Sequence, residues 1–181
     1  MKITKENLLK IVLNQESREA LLQDLEKESG TNLPIRNAIS NAAPNVKFNE
    51  NEISDLMDIL LHSTWDEEII FENFIFNPDF PEPMLHQLYE ADKFVTALAH
   101  RTGPIDLLLK IARNKSDHEE ALLTLGQIYF RSPEITPNEF KEFLIEFKNN
   151  QYLFVTLDKE NHGDNEKSRV YQRIRNSSTE S

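Results

Sequence analysis

Phe71-Glu72-Asn73-Phe74-Ile75-Phe76-Asn77-Pro78-Asp79-Phe80-Pro81-Glu82-Pro83-Met84-Leu85-His86-Gln87-Leu88 repeats in outline 23 positions further on. The second copy is Phe94-Val95-Thr96-Ala97-Leu98-Ala99-His100-Arg101-Thr102-Gly103-Pro104-Ile105-Asp106-Leu107-Leu108-Leu109-Lys110-Ile111. Phe71 falls on Phe94, Ile75 on Leu98, Pro81 on Pro104, Met84 and Leu85 on Leu107 and Leu108, and Leu88 on Ile111. Apolar residues keep helical spacing on both sides of a proline, so each copy reads as helix, turn, helix. No copy can bury its apolar stripe alone, and the copies must therefore stack.

A longer third copy follows. Leu125 to Phe130 supplies its first helix, and Thr136-Pro137-Asn138-Glu139-Phe140-Lys141-Glu142-Phe143 supplies the turn and second helix. The pattern Asn-Pro, Pro, Leu-x-x-Leu, with Ala-Leu-Ala before the next turn, resembles the leucine-rich repeat variant and the wider HEAT-like helical repeats. The resemblance covers about Phe71 to Phe147, and in the third copy Ser132-Pro133 stands where Asn-Pro would be. It implies an all-α fold of stacked helical hairpins, a HEAT-like α-solenoid, with a concave surface for a protein or nucleic-acid ligand.

Helix signals continue outward from the repeats. Leu8 to Leu13 follow Thr4, and Ala20, Leu21, Leu22 and Leu25 follow Ser17 up to Gly30. A short helix is expected from Pro34 to Ala42, with Pro44 beyond its end. Asn49-Glu50-Asn51-Glu52 opens another helix. Ser63-Thr64-Trp65-Asp66-Glu67, Ser116-Asp117-His118-Glu119 and Thr136-Pro137-Asn138-Glu139 read as capping boxes, a hydroxyl followed three residues later by a carboxylate. Tyr152 to Leu157 is aromatic and β-branched, but a lone strand has no partner, so it reads as a buried helix or an extended segment. One domain is expected over 1–157, with N-terminal helices in 1–48, acidic helices in 49–92 and the clearest repeats in 71–147. The polar composition of 158–181 reads as a flexible tail.

Charge is the second informative feature. From Phe48 to Asp92 there is no Lys or Arg, against twelve acidic residues, and the net charge of the whole chain is -11. The remaining 20 basic residues face 19 acidic ones. Such a field steers basic partners and repels nucleic acid, whose binding rests on Lys and Arg. Arg101, Lys110, Arg113 and Lys115 form only a modest basic cluster, interrupted by acids. The absence of Cys excludes disulfides, thiolate zinc sites and cysteine nucleophiles. The first residues are too polar for a signal peptide, and no segment approaches a membrane span. The expectation is a soluble, cytoplasmic protein that does not engage membranes.

Catalytic motifs are missing. His62, His86, His100, His118 and His162 form no zinc pair, although His86 and Glu90 share a helix face and could supply half a metal site. Asp55/Asp58 and Asp66-Glu67-Glu68 are the carboxylates a hydrolase would need, yet Asp66 and Glu67 are explained by capping. There is no phosphate-binding Gly loop and no nucleophile elbow. The chain reads as a non-enzyme without cofactors or metals. Trp65, Phe71, Phe74, Phe76, Phe80 and Tyr89 are interleaved with the acids. Most read as core, with Trp65 and Phe80 as the expected exposed exceptions.

An acidic, cysteine-free chain of this size also resembles bacterial toxin immunity proteins. That resemblance implies a partner, a basic toxin domain such as a nuclease, whose groove is occluded by carboxylates standing where phosphates would bind. The contact set expected on this reading is Glu50, Asp55, Asp58, Trp65, Asp66, Glu67, Glu68, Glu72 and Asp79. The alternatives are a scaffold holding a peptide helix through apolar contacts, and a metal-dependent hydrolase built on His86 and Glu90.

Overall fold

Pro81 and Pro104, the prolines aligned by the repeat, occupy equivalent positions in the computed structural model, which describes residues 4–14, 19–20, 37, 40–114, 118–161 and 163–178. Each is the residue just before a helix, with φ/ψ of -63/142 and -69/147. Their carbonyls accept the first helical N–H bonds, from Leu85 at 3.3 Å and Leu108 at 3.2 Å. Proline's fixed φ suits this entry, and the missing N–H is no loss there. The aligned apolar pairs are buried as pairs: Phe71 with Phe94, Ile75 with Leu98, Leu85 with Leu108, and Leu88 with Ile111.

The helices are α1 (Lys5–Leu13), α2 (Glu50–His62), α3 (Trp65–Phe71), α4 (Glu82–Glu90), α5 (Val95–His100), α6 (Ile105–Arg113), α7 (His118–Arg131), α8 (Pro137–Glu146), α9 (Gln151–Glu160) and α10 (Glu166–Ser178). Short 3₁₀ turns cover Ala43–Asn45 and Glu72–Phe76. No strand occurs among the described residues, and the fold is all-α. The helix expected beyond Ala20, most of that from Pro34 to Ala42, and Ser116 and Asp117 of the expected cap lie outside the described residues.

Two compact units emerge, Met1–Leu98 and Ala99–Ser181, where the sequence suggested one domain over 1–157 and a tail. In the first unit α2 packs on α1 and α4, and the two 3₁₀ turns pack on each other. Asn77 joins these turns. Its amide nitrogen donates to the carbonyls of Ala43 at 2.6 Å and Val46 at 2.8 Å, and its side-chain oxygen accepts from Asp79 N–H at 2.9 Å. Phe80, expected at the surface, is buried because its own amide closes onto the Asn77 carbonyl at 3.4 Å and turns the ring inward. Phe71, Phe74 and Phe48 form an aromatic chain beside it, with ring centroids 6.2 and 6.1 Å apart.

In the second unit α7 packs against α6, α8 and α9, and α10 packs on α8. Tyr129 stacks on Phe143 at 4.3 Å, and Phe130 meets Phe140 edge-on at 5.8 Å. Gly126 permits the α7–α9 approach, since a Cβ there would stand 2.8 Å from Leu153 Cδ1. Tyr152 to Leu157 is helical, capped by Asn150, and buries Leu153, Phe154 and Leu157. Within the expected tail, α10 is ordered on the unit. Lys167 donates to the α7-end carbonyls of Tyr129 at 2.7 Å and Ser132 at 2.6 Å, and buried Tyr171 donates to Asp158 at 2.5 Å.

Candidate functional site

The acidic residues chosen from sequence begin on α2, whose start is fixed locally. Asn49 Oδ1 accepts from Glu52 N–H at 2.9 Å, and Glu52 Oε2 accepts from Asn49 N–H at 2.8 Å. This reciprocal box satisfies amides that the first turn leaves free. Lys5 Nζ lies 2.6 Å from Glu52, and the Lys5 ammonium and Asn49 amide hold the Glu52 carboxyl below its usual range. Ile53, Leu56, Met57 and Leu60 are buried. The 3.6-residue turn carries Ser54, Asp55 and Asp58 to the opposite face, and these three are exposed, as is Glu50 at the helix start. Glu50 and Asp58 stand about 12 Å apart along the axis at the standard helical rise. Asp58 pairs with His62 at 3.5 Å, both side chains being mostly exposed.

α3 begins with Thr64 as its cap. Glu67 Oε2 accepts from the Thr64 amide at 2.8 Å and its hydroxyl at 3.1 Å. Trp65, at the first helical position, is 74% exposed. The Asp66 side chain lies outside the described atoms.

Glu68 is engaged inside the fold. Its Oε1 meets Lys93 Nζ at 3.0 Å, and its Oε2 accepts from Phe94 N–H at 3.0 Å. Lys93 Nζ also donates to the Ser63 carbonyl at 2.7 Å. The need for this clamp lies in the backbone. Asp92 ends α4 with φ 57, with its own N–H on Tyr89 O and the Lys93 N–H on Leu88 O, a Schellman arrangement. Phe94 follows with φ 54, an uncommon conformation for a bulky residue. Burial of its ring and the Glu68 carboxylate hold it there.

Asp79 is likewise structural, accepting from Phe48 N–H at 3.2 Å. Glu72 is half-buried. Together with Trp65, Glu68, Ile69, Phe94, Val95, Thr96 and Ala97 it lines a shallow notch of about 140 Å³. The structure thus divides the contact set. Glu50, Asp55 and Asp58 are exposed along α2, Trp65 and Glu72 share a notch, and Glu67, Glu68 and Asp79 hold backbone in place. Ile69 and Val95 were not singled out from sequence. Trp65 and Ile69, four apart on α3, carried the only local hint, and Val95 arrives through the fold.

The two units differ sharply in charge. Met1–Leu98 holds eight basic and eighteen acidic residues, net -10, while Ala99–Ser181 holds twelve and thirteen, net -1. Lys5 and Lys93 are both committed to carboxylates within the first unit. In the second unit Arg113 and Glu146 form a two-bond pair at 2.7 and 3.1 Å, which withdraws one member of the modest basic cluster. A larger cavity there, about 620 Å³, is lined by Lys148, Asn150, Phe154 and Arg175 among others. Arg175 faces Asp158 at 3.4 Å and lies over the Phe154 ring, and Asn150 caps α9. Asn150 and Arg175 of its lining are therefore in internal use.

His86 and Glu90 gain no third ligand, since no group of three His, Asp or Glu suited to a metal occurs among the described residues. No helix among them is long and apolar enough to cross a membrane. Comparisons with known protein families, curated proteins and solved structures give no match for this chain.

Proposed function

We propose that the protein is a non-catalytic binding module that engages a basic protein partner through its first unit. One observation carries this reading. Three carboxylates, Glu50, Asp55 and Asp58, are exposed along α2 in a unit of net charge -10, where Lys5 and Lys93 are already paired with other carboxylates. A concentrated field of this kind speeds encounter with a basic surface, and buried contacts then set the dissociation rate. In its sharper form the partner is a basic toxin domain, such as a nuclease, and the module is its cytoplasmic inhibitor. The helix–proline–helix copies that follow the acidic α2 are read as HEAT-like repeats.

The test uses tagged full-length protein to capture partners from host lysate at low and high salt, beside the variant Glu50→Lys/Asp55→Lys/Asp58→Lys. The expected result is one predominant basic protein, weakened by salt, and bound roughly tenfold or more weakly by the variant because the net charge of the unit falls from -10 to -4 and steering weakens. Equal capture by the variant would overturn the reading. Salt-insensitive capture of several proteins would favour an apolar scaffold instead.

A further inference from the structure

Trp65 is the chain's only tryptophan, and it is 74% exposed at the start of α3. Burying one aromatic of this size brings a large gain, so an uncovered tryptophan beside a cavity marks a contact point. The notch it borders is lined by apolar Ile69, Phe94, Val95 and Ala97 and by two acidic residues, Glu72 and the Lys93-paired Glu68. Its volume of about 140 Å³ is below the roughly 300 Å³ at which small-molecule pockets begin. The fitting occupant is one side chain. It should have an apolar stem, a flat cationic head for the indole face, and positive charge to suit the carboxylates.

We propose that this notch receives an arginine side chain of the basic protein partner. The inference rests on the acidic-module reading above and names the group that the module recognises. Guanidinium stacks on an indole and meets carboxylates in a planar fork, whereas an ammonium is a compact, strongly hydrated point charge. The wall of the notch is preset. Glu68 is pinned by Lys93 and the Phe94 amide at 3.0 Å each, so the α3 and Val95–Ala97 sides are held without a ligand. Glu72 belongs to the same lining.

Trp65 supplies the readout. Full-length protein is titrated at low salt with an octa-arginine peptide and an octa-lysine peptide of equal charge. Tryptophan emission and the anisotropy of dye-labelled peptide are followed together. The expected result is tighter binding of the arginine peptide with a change in Trp65 emission. Trp65→Ala should remove about two- to fivefold of affinity for the arginine peptide, the size of an exposed cation–π contact, and leave the lysine peptide unaffected. Trp65→Leu keeps an apolar cover and must lose the same preference; helicity by circular dichroism verifies both variants. If both peptides bind equally, unaffected by either variant but abolished by the α2 triple-lysine variant, the notch assignment is wrong and the acidic module stands. If neither peptide binds, both are overturned.

Discussion

Replacing Asn77 by aspartate changes almost nothing in shape and inverts a buried hydrogen-bond pattern. Asn77 is fully buried, and its amide nitrogen serves two backbone carbonyls, Ala43 at 2.6 Å and Val46 at 2.8 Å. Its oxygen serves the Asp79 amide at 2.9 Å. With a net worth near 1 kcal/mol per bond, Asn77→Ala should lose about 3 kcal/mol before any cavity effect. Asn77→Asp keeps one bond but turns a carboxylate oxygen toward two carbonyls, so at neutral pH the loss should exceed that of Asn77→Ala. The aspartate will avoid this by binding a proton, and its folded-state pKa must rise above the unfolded value of about 3.9. The folded state then binds more protons than the unfolded state in the window above 3.9, so stability falls as pH rises through it. Urea unfolding followed by circular dichroism, at neutral pH and near pH 4, gives the measurement. Hydrogen exchange over 43–48 and 74–80, the segments that Asn77 joins, localises it. The expected gap between Asn77→Asp and the parent is large at neutral pH and narrower in acid, while that of Asn77→Ala is constant. Asn77→Asp within about 0.5 kcal/mol of the parent at neutral pH would refute the bonding scheme.

Two other perturbations address different parts of the molecule. Glu68→Ala strands the Phe94 amide and removes the carboxylate from Lys93, so it should lose about 2–3 kcal/mol, whereas exposed Glu50→Ala should stay within about 0.5 kcal/mol. Equal stabilities of those two variants in urea would show that the Glu68 clamp is not formed. Burial first, then the hydrogen bond and charge of Asp158, push the Tyr171 phenol well above its usual value. Its contribution is therefore fully present below about pH 10 and lost as pH rises through the folded value. Tyr171→Phe should lose about 1 kcal/mol at neutral pH, and the difference from the parent should shrink in alkali; a constant difference would count against the Asp158 bond.

What the sequence made legible is what depends on neighbours in the chain. The Asn49–Glu52, Thr64–Glu67 and Thr136–Glu139 devices stand where expected, because a cap is a contact across three residues. The helix starts after Pro81 and Pro104 were readable for a similar reason, whereas the first halves of the two copies differ, Glu72–Phe76 being a 3₁₀ turn and Val95–His100 an α-helix. α10 was not readable. Its buried stripe amounts to Ser168 and Tyr171, and its anchors reach Tyr129, Ser132 and Asp158, far away along the chain. Composition alone therefore suggested a tail. Phe80 failed in the same way, since nothing in a proline-flanked turn announces that Asn77 will fold it inward.

The acidic segment shows why a charge count must be divided before it is interpreted. Glu52, Glu68 and Asp79 look no different in sequence from Glu50, Asp55 and Asp58, yet the former bind backbone amides or lysines and the latter face solvent. Reversing charge across Glu67 and Glu68, the densest run, would break a cap and a clamp together with any partner contact. Lost binding in that variant would say nothing about recognition. α2 separates the two effects, because Asp55 and Asp58 lie opposite Ile53, Leu56, Met57 and Leu60 and their reversal leaves the core untouched. Like charges at Asp55 and Asp58, three apart on one helix, also repel by a few tenths of a kcal/mol. Reversing them together exchanges one like-charge pair for another, so stability should hardly move while the net charge of the unit falls from -10 to -6. A binding change without a stability change at those positions is therefore the signature that distinguishes a recognition surface from a merely solvated one.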